Sequence, residues 1–177
     1  PAPVPAPPRL ADAAAPRLTV VYGSQTGNAK RVAEALAHSV ETAGLPVRLL
    51  RAEAYPLREL ATERHLAIVI STQGDGDPPD DARAFVEHLL GRRAPALPHL
   101  HFTVLGLGDS SYPKFCEIGR RLDARLAELG ATRWLERADA DLDVDAVAAP
   151  WLARSLELAR EALKAAPALA VVTPLFP

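Results

Sequence analysis

The sequence predicts an α/β fold: a doubly wound, five-stranded parallel sheet with strand order 2-1-3-4-5. Short apolar runs alternate with amphipathic helical patterns along most of the 177 residues, an order typical of a parallel sheet covered by helices on both faces. Three of the apolar runs end in loops rich in Gly, Ser, Thr and Asp. In such a sheet these loops meet at the carboxyl edge of the strands, where ligands bind. The three loops therefore predict one binding site.

Each element follows from a local pattern. The first helix carries Val32, Leu36 and Val40 on one face, and Gly44 ends it. Pro78 and Pro79 stand just ahead of another amphipathic stretch, which suits a helix start. The expected strands are 18–22, 47–50, 67–71, 102–105 and 134–137; the later helices are 80–90, 113–129 and 145–165, with a weak helical turn at 57–61.

Composition narrows the class of function. The formal net charge is -2 and 24% of residues are charged, so no basic excess points to a nucleic acid or an anionic membrane surface. No apolar stretch reaches the roughly 18 residues of a membrane span, and no signal peptide is recognisable. We expect no nucleic-acid partner, no membrane partner and a cytoplasmic location, with which the single Cys116 is compatible.

The two ends differ in composition from the middle. Residues 1–16 and 167–177 are rich in Pro and Ala, a composition typical of semi-extended linkers. Between them, 17–166 shows the strand and helix alternation without an internal linker. We expect one folded domain at 17–166 between two linkers, and, because the chain has no Met, a piece of a larger polypeptide.

The loop after the first strand has the features of a phosphate cradle. Its small and hydroxyl-bearing residues lead into a helix, whose N-terminus carries about half a positive charge and unpaired N–H donors. Ordinary N-capping explains one such residue but not a consecutive run. Asn28 and Ala29 replace the Gly-Lys of a Walker A motif, which disfavours nucleotide hydrolysis. The candidates are Ser24, Gln25, Thr26, Gly27, Asn28 and Ala29.

The second and third loops each contain an incomplete dinucleotide fingerprint. Pro79 and Ser111 stand where the third glycine would be required. Gly74 and Gly76 are expected instead to let the backbone pass close to a flat ligand. Tyr112, at the tip of a polar loop, is expected to stack on a conjugated ring, the alternative being a Tyr packed on its own domain.

Other reactive residue types have simpler interpretations. Cys116 is expected to be a buried thiol, since Leu122 stands where a phosphatase loop would need Arg. The five His residues show no metal spacing, and no Ser-His-Asp order is discernible. We predict no catalytic residue and no metal site. Trp134 and Trp151 are expected to pack in the core or at its edge.

Three motifs carry a family resemblance: Ser-Gln-Thr-Gly-Asn-Ala at 24–29, Ser-Thr-Gln-Gly-Asp-Gly-Asp-Pro-Pro at 71–79, and Leu-Gly-Asp-Ser-Ser-Tyr-Pro-Lys-Phe-Cys at 107–116. With 137–141, they resemble the FMN-binding, flavodoxin-like domain of NADPH-dependent sulfite reductase flavoproteins, in the diflavin reductase family. The likeness covers about 18–165. Gln73 stands where other diflavin reductases often carry Tyr, which would leave stacking on one flavin face to Tyr112 alone.

The resemblance implies an electron relay. It implies that 24–29 hold the FMN phosphate, that Ser71, Thr72, Gln73 and Gly74 contact the ribityl chain and ring, and that Leu107, Gly108, Asp109, Ser110, Ser111, Tyr112, Pro113, Lys114, Phe115 and Cys116 cover the ring. Electrons would pass from NADPH through FAD, in a reductase domain of the same polypeptide, to FMN and on to a siroheme and iron–sulfur hemoprotein that reduces sulfite to sulfide. The alternatives are a stand-alone flavodoxin-like carrier, the FMN domain of another diflavin reductase with a heme-protein acceptor, and a binding module that has lost its flavin.

Acidic residues gather at the same expected edge of the sheet. Four stand in the second loop and four more follow the fifth strand: Asp75, Asp77, Asp80, Asp81, Asp139, Asp141, Asp143 and Asp145. They are either a solvated surface or a negative face that steers basic docking surfaces toward the flavin. We predict the negative face.

Overall fold

The computed structural model describes residues 16–24 and 26–172, without the side chains of 164–172. Its strands are β1 Leu18–Gly23, β2 Val47–Arg51, β3 His65–Ser71, β4 His101–Leu107, β5 Thr132–Arg133 and β6 Ala138–Ala140. Its α-helices are α1 Asn28–Thr42, α2 Arg83–Leu90, α3 Glu117–Glu128 and α4 Val144–Val172. Short 3₁₀ segments lie at Ala52–Ala54, Leu57–Thr62 and Asp80–Ala82.

The sheet confirms the predicted fold class. Its strand order is β2-β1-β3-β4-β5, with β6 also paired to β4, and the strand pairs are parallel. All the polar loops that follow β1, β3 and β4 therefore leave the sheet at its carboxyl edge.

The predicted fifth strand at 134–137 is wrong in position. Two short strands flank that segment, with Thr132 opposite His101 and Ala138 opposite Leu105 on β4. Trp134 and Leu135, which lie between them, are half-buried against the hydrophobic cluster beside the sheet. The Trp134 N–H still donates to the Phe102 carbonyl of β4 at 2.6 Å, and regular pairing resumes only at Ala138, so the fifth strand is divided in two after Trp134.

Hydrophobic clusters cover both faces of the sheet. On β3, Ile68 belongs to one cluster with residues of α2 and α3, and its neighbour Val69 belongs to the other with residues of α1 and α4. This burial on both faces explains the near-continuous apolar runs of the strands. Trp151 is buried as expected, and its Nε1–H donates to Thr103 Oγ1 at 3.0 Å.

Several boundaries differ from the expected ones. β4 continues through Leu107, two residues beyond the expected end at 105, so the third loop begins at Gly108. α3 starts at Glu117 rather than near Pro113, because Cys116 has a left-handed backbone with φ 53°. α4 continues past Ala165 to Val172. The linker predicted at 1–16 lies almost wholly outside the described residues, as do the last five residues of the one predicted at 167–177. None of the described helices combines the length and apolarity needed to cross a membrane.

Candidate functional site

A cavity of about 420 Å³ opens at the carboxyl edge of the sheet. The three polar loops predicted to form one site all contribute to its wall. The lining residues expected from sequence are Thr26, Asn28, Ser71, Thr72, Gln73, Gly74, Leu107, Gly108, Asp109, Tyr112, Lys114, Phe115 and Cys116.

The remaining candidates lie beside the cavity rather than in its wall. Ser24, Gly27, Ala29, Ser110, Ser111 and Pro113 belong to the same loops but are not among the lining residues. Gln25 lies outside the described residues. Ser24 and Ser110 have a supporting role instead, since both make hydrogen bonds that position the loops.

The sequence did not predict that a fourth segment of the chain, after β6, lines the cavity. Asp141, Leu142 and Val144, which follow β6, also line the cavity. Leu142 is 74% exposed and Tyr112 is 48% exposed, so two large apolar side chains stand open to solvent at one cavity. The signal for these residues in the sequence is their position after a strand end, since loops that follow parallel strands line ligand sites.

The first loop prepares the N-terminus of α1 for an anion. Gly27 precedes the helix with φ 98°. The Ser24 hydroxyl oxygen accepts hydrogen bonds from the N–H of Gly27 at 2.9 Å and of Ala29 at 3.2 Å. The first turn of α1 contains no acidic residue. Its positive N-terminal charge is therefore not offset within that turn, a favourable setting for a phosphate.

The second loop holds the first in place. The Ser24 N–H donates to Asp81 Oδ1 at 3.1 Å, and Arg51 Nε lies 3.9 Å from Asp81 Oδ2. Burial raises the pKa of Asp81, although the Ser24 N–H and Arg51 oppose that rise. A Cβ atom on Gly23 would lie 2.5 Å from the Ala82 Cβ, so the two loops approach more closely than a side chain at position 23 would permit.

The backbone of the second loop forms a closed turn. The N–H of Gln73 donates to the Asp77 carbonyl at 2.8 Å, and the Gln73 carbonyl accepts from Gly76 at 2.9 Å and Asp77 at 3.0 Å. Gly74 has φ 42° and Gly76 has φ 101°. A Cβ on Gly76 would lie 2.8 Å from Lys114 Cδ. The glycines thus serve the turn and its close contact with the third loop.

The third loop is tied to the segment after β6. Asp109 Oδ1 accepts from the Ser111 N–H at 2.9 Å and from the Ser111 hydroxyl at 2.6 Å. The Ser110 N–H donates to Asp141 Oδ1 at 3.0 Å. Hydrogen bonds from Ser110, with a further one from the N–H of Leu142, lower the pKa of Asp141. The loop that carries Tyr112 is therefore positioned through an ionised Asp141.

Cys116 forms part of the cavity floor as a buried thiol. Its Sγ lies 3.8 Å from the Ala140 carbonyl oxygen, and a Cβ on Gly108 would lie 3.2 Å from that sulfur. Burial raises the pKa of the thiol to about 12. The protonated thiol is a poor nucleophile, which agrees with its expected structural role.

The donor groups of the cavity fit a phosphorylated flavin. The helix N-terminus suits a phosphate, and the exposed Tyr112 ring suits a flat conjugated system. The Nε2 of Gln73 is buried without a hydrogen-bond partner in the described part of the chain, and Gln73 lines the cavity. Among the described residues, no group of three or more His, Cys, Asp or Glu could hold a metal ion.

Comparison with known proteins decides the family. The family model described as flavodoxin matches residues 20–151. The chain belongs to the flavodoxin family. A flavodoxin domain binds FMN and transfers electrons, so this chain is a flavoprotein domain.

Individual relatives of the flavodoxin domain agree with this assignment. The sulfite reductase [NADPH] flavoprotein alpha-component of Vibrio vulnificus is 48% identical over 149 residues, covering 84% of this chain and 24% of the relative. The protein of the same name from Sodalis glossinidius is 49% identical over 154 residues, covering 87% and 25%. The chain thus spans about a quarter of the length of these relatives. A flavodoxin from Streptococcus pneumoniae aligns with a TM-score of 0.69 and 25% identity, covering 85% of this chain and 99% of that one.

Proposed function

We propose that this chain is the FMN domain of a sulfite reductase flavoprotein, and that it relays electrons from a reductase domain to a hemoprotein. The observation that carries the proposal is the cavity at the carboxyl edge, which joins the N-terminus of α1 to the exposed ring of Tyr112. The relatives at 48% and 49% identity are sulfite reductase flavoprotein alpha-components, which supports this class of flavoprotein.

The loops divide the work of holding FMN. Thr26, Asn28 and the backbone at the start of α1 would hold the phosphate. Residues 71–74 would contact the ribityl chain and the ring, and 107–116 would cover the ring, with Tyr112 stacked on it. Bound FMN would supply the redox chemistry, and the protein would supply position and electrostatics.

In this proposal the electron donor belongs to the longer protein implied by the relatives, and the acceptor is a separate subunit. Because the chain spans about a quarter of their length, we place a reductase domain with FAD and an NADPH site in the same polypeptide. The acceptor in this scheme is a siroheme and iron–sulfur hemoprotein that reduces sulfite to sulfide. The folded domain at 17–166 would work in the cytoplasm, where Cys116 stays reduced.

Exposed acids in the segments that follow β3 and β6 form an acidic rim at the carboxyl edge of the sheet, which would favour docking of a basic partner. We define the rim as the exposed Asp75, Asp77, Asp80, Asp143 and Asp145. Two members have basic neighbours, since Arg31 Nη1 lies 3.2 Å from Asp145 Oδ1 and Arg83 Nη2 lies 3.8 Å from Asp80 Oδ1. Tyr112 and Leu142 would provide the apolar contact inside this rim.

A stand-alone carrier is the second candidate. The match to the Streptococcus pneumoniae flavodoxin, which covers 99% of that chain, favours it, because that flavodoxin is matched almost end to end. Both candidates bind FMN in the same cavity. They differ in the source of electrons.

Anaerobic reduction of the FMN-loaded chain separates these candidates. Neither Gly-x-Gly in the sequence completes a dinucleotide fingerprint, so NADPH alone should bleach the flavin negligibly while dithionite bleaches it fully. Addition of the purified reductase domain of a sulfite reductase flavoprotein should make reduction by NADPH fast, and the matching hemoprotein should then be reduced. Rapid bleaching by NADPH alone would contradict the relay. Bleaching by dithionite but not through the reductase domain would favour the stand-alone carrier.

A further inference from the structure

We propose that the side-chain amide of Gln73 donates a hydrogen bond to the bound flavin ring and thereby sets both FMN affinity and the ease of flavin reduction. This inference rests on the proposal that the cavity holds FMN. It starts from the Gln73 Nε2 atom, which is shielded from solvent and has no hydrogen-bond partner in the described part of the chain.

An unpaired buried amide is unusual enough to require a reason. Buried polar side-chain atoms are paired in the large majority of cases, because an unpaired one loses its hydrogen bond to water without replacement. Two other buried side-chain atoms of the described residues lack a partner, His65 Nδ1 and Ser155 Oγ. Neither of those residues lines the cavity, whereas Gln73 does.

The backbone fixes where the amide can reach. Gln73 exchanges hydrogen bonds with Asp77 in both directions and accepts a third from Gly76. The first turn of α3 braces this turn, since the Ile118 N–H donates to Thr72 Oγ1 at 3.0 Å. Gln73 lines the cavity, so rotation about its side-chain torsions, from a backbone held by these hydrogen bonds, would bring the shielded amide to a ligand there.

A flavin ring offers hydrogen-bond acceptors for this amide donor. Its carbonyl oxygens and ring nitrogens accept hydrogen bonds, and the electrons added on reduction increase the negative charge at those acceptors. Hydrogen bonds strengthen as the acceptor gains charge, so the amide would favour the reduced ring over the oxidised ring. Gln73 would therefore raise the reduction potential of the flavin, in opposition to the acidic rim.

Two variants of Gln73 test the inference against a matched control. Gln73→Met keeps an unbranched side chain of similar length but removes the donor, and Gln73→Glu replaces the amide with a carboxylate. Ser155→Ala removes another unpaired buried polar atom that does not line the cavity. Each chain is stripped of flavin, titrated with FMN by fluorescence, and then titrated with reductant beside a reference dye.

Loss of the amide should weaken FMN binding but should not destabilise the apo chain. Gln73→Met should lose about 2- to 12-fold in FMN affinity, the fold-change of one net hydrogen bond, and its flavin should be harder to reduce. Its apo form should unfold at the same or a higher denaturant concentration, because the lost amide was unpaired. Gln73→Glu should shift reduction further in the same direction, and Ser155→Ala should leave both properties unchanged.

Results that would contradict the inference about Gln73 can be distinguished from results that would contradict the proposed function. Wild-type affinity and wild-type reduction in Gln73→Met would overturn the inference while leaving the FMN site intact. A loss of apo stability equal to the loss of affinity would assign Gln73 a purely structural role and also overturn it. Failure of the unmodified chain to bind FMN would overturn the proposed function and the inference together.

Discussion

Asp81 shows how one residue outside the cavity wall can control binding inside it. Its carboxylate accepts the Ser24 N–H at 3.1 Å, and Ser24 in turn positions the N–H groups of Gly27 and Ala29. The phosphate site therefore depends on an acid of the second loop. Asp81, one of the four acids of the second loop, therefore has a structural role that does not depend on electrostatic steering.

Replacement of Asp81 should affect FMN binding according to hydrogen bonding rather than charge. Asp81→Ala leaves the Ser24 N–H without its acceptor and should weaken FMN binding about 3- to 10-fold, the effect of about 1 kcal/mol. Asp81→Asn retains an oxygen acceptor and should keep most of the affinity. Because burial raises the pKa of Asp81, the neutral Asn should not lower the unfolding free energy at pH 7. Fluorescence titration and urea unfolding check both points; equal weakening in Ala and Asn variants would show that charge is what matters.

Single residues also mark the limit of sequence analysis. Cys116 and Trp151 were correctly expected to be buried, because apolar context along the chain indicates burial. The unpaired Nε2 of Gln73 could not be expected, since the sequence does not show which side-chain atoms lose their access to water. Leu142 was missed because an exposed Leu in an acidic stretch has no distinctive pattern.

At the scale of elements, the starts of β3 and β4 form a pH-sensitive contact. The rings of His65 and His101 stack with centroids 5.5 Å apart, and Trp134 lies 5.5 Å from His65 on a tilted plane. Burial, together with electrostatic repulsion from His101 and Arg64, lowers the pKa of His65 to about 4. The folded state therefore requires a neutral His65, which an unfolded chain would protonate at about pH 6.5.

Stability should fall as the pH falls through this interval. Between pH 6.5 and 4 the unfolded state binds a proton at His65 that the folded state does not, which costs at most about 1.4 kcal/mol of unfolding free energy per pH unit. His65→Phe keeps an aromatic ring but removes the titration. Urea unfolding from pH 7 to 4.5 should show a flatter profile for His65→Phe than for the parent chain, and parallel profiles would contradict the assignment.

Elements with a strong periodic pattern were predictable, and the short edge strands were not. The first four strands have clear apolar runs, and most of the helices between them have amphipathic faces. This alternation predicts a doubly wound parallel sheet and hence the strand order. The prediction of one fifth strand at 134–137 failed because apolar residues such as Trp134 and Leu135 are typical of a strand, whereas regular pairing with β4 occurs on either side of this segment, at 132–133 and 138–140. The cap of α3 was also hidden, because a left-handed Cys116 leaves no mark in the sequence.

At the scale of the whole molecule, the net charge of -2 is small, so electrostatic steering depends on where the charges lie. The acidic rim lies in the segments that follow β3 and β6, at the carboxyl edge of the sheet where the cavity also opens. Complementary charge raises the rate of encounter more than it raises affinity. A basic partner would accordingly be drawn to the edge where FMN binds.

Salt should slow electron transfer into the FMN-loaded chain. The Debye length is about 8 Å at physiological ionic strength, so added salt screens attraction between the rim and a basic reductase domain. Stopped-flow rates with that domain should decrease as salt rises, and the double variant Asp75→Asn with Asp143→Asn should be slower and less dependent on salt. Glu41→Gln, an exposed acid at the end of α1 away from the rim, is the control. If the rates of the parent chain did not depend on salt, the acids would be a solvated surface.

The most direct test of the account is a titration of the flavin-stripped chain with FMN, followed by flavin fluorescence. The N-terminus of α1, the closed turn at Gln73 and the exposed Tyr112 predict one FMN per chain at micromolar concentration or below. Thr26→Glu places a negative charge at the phosphate site and should abolish that binding. Absence of saturable binding in the parent chain, or equal binding in the Thr26→Glu variant, would contradict an FMN site at this cavity.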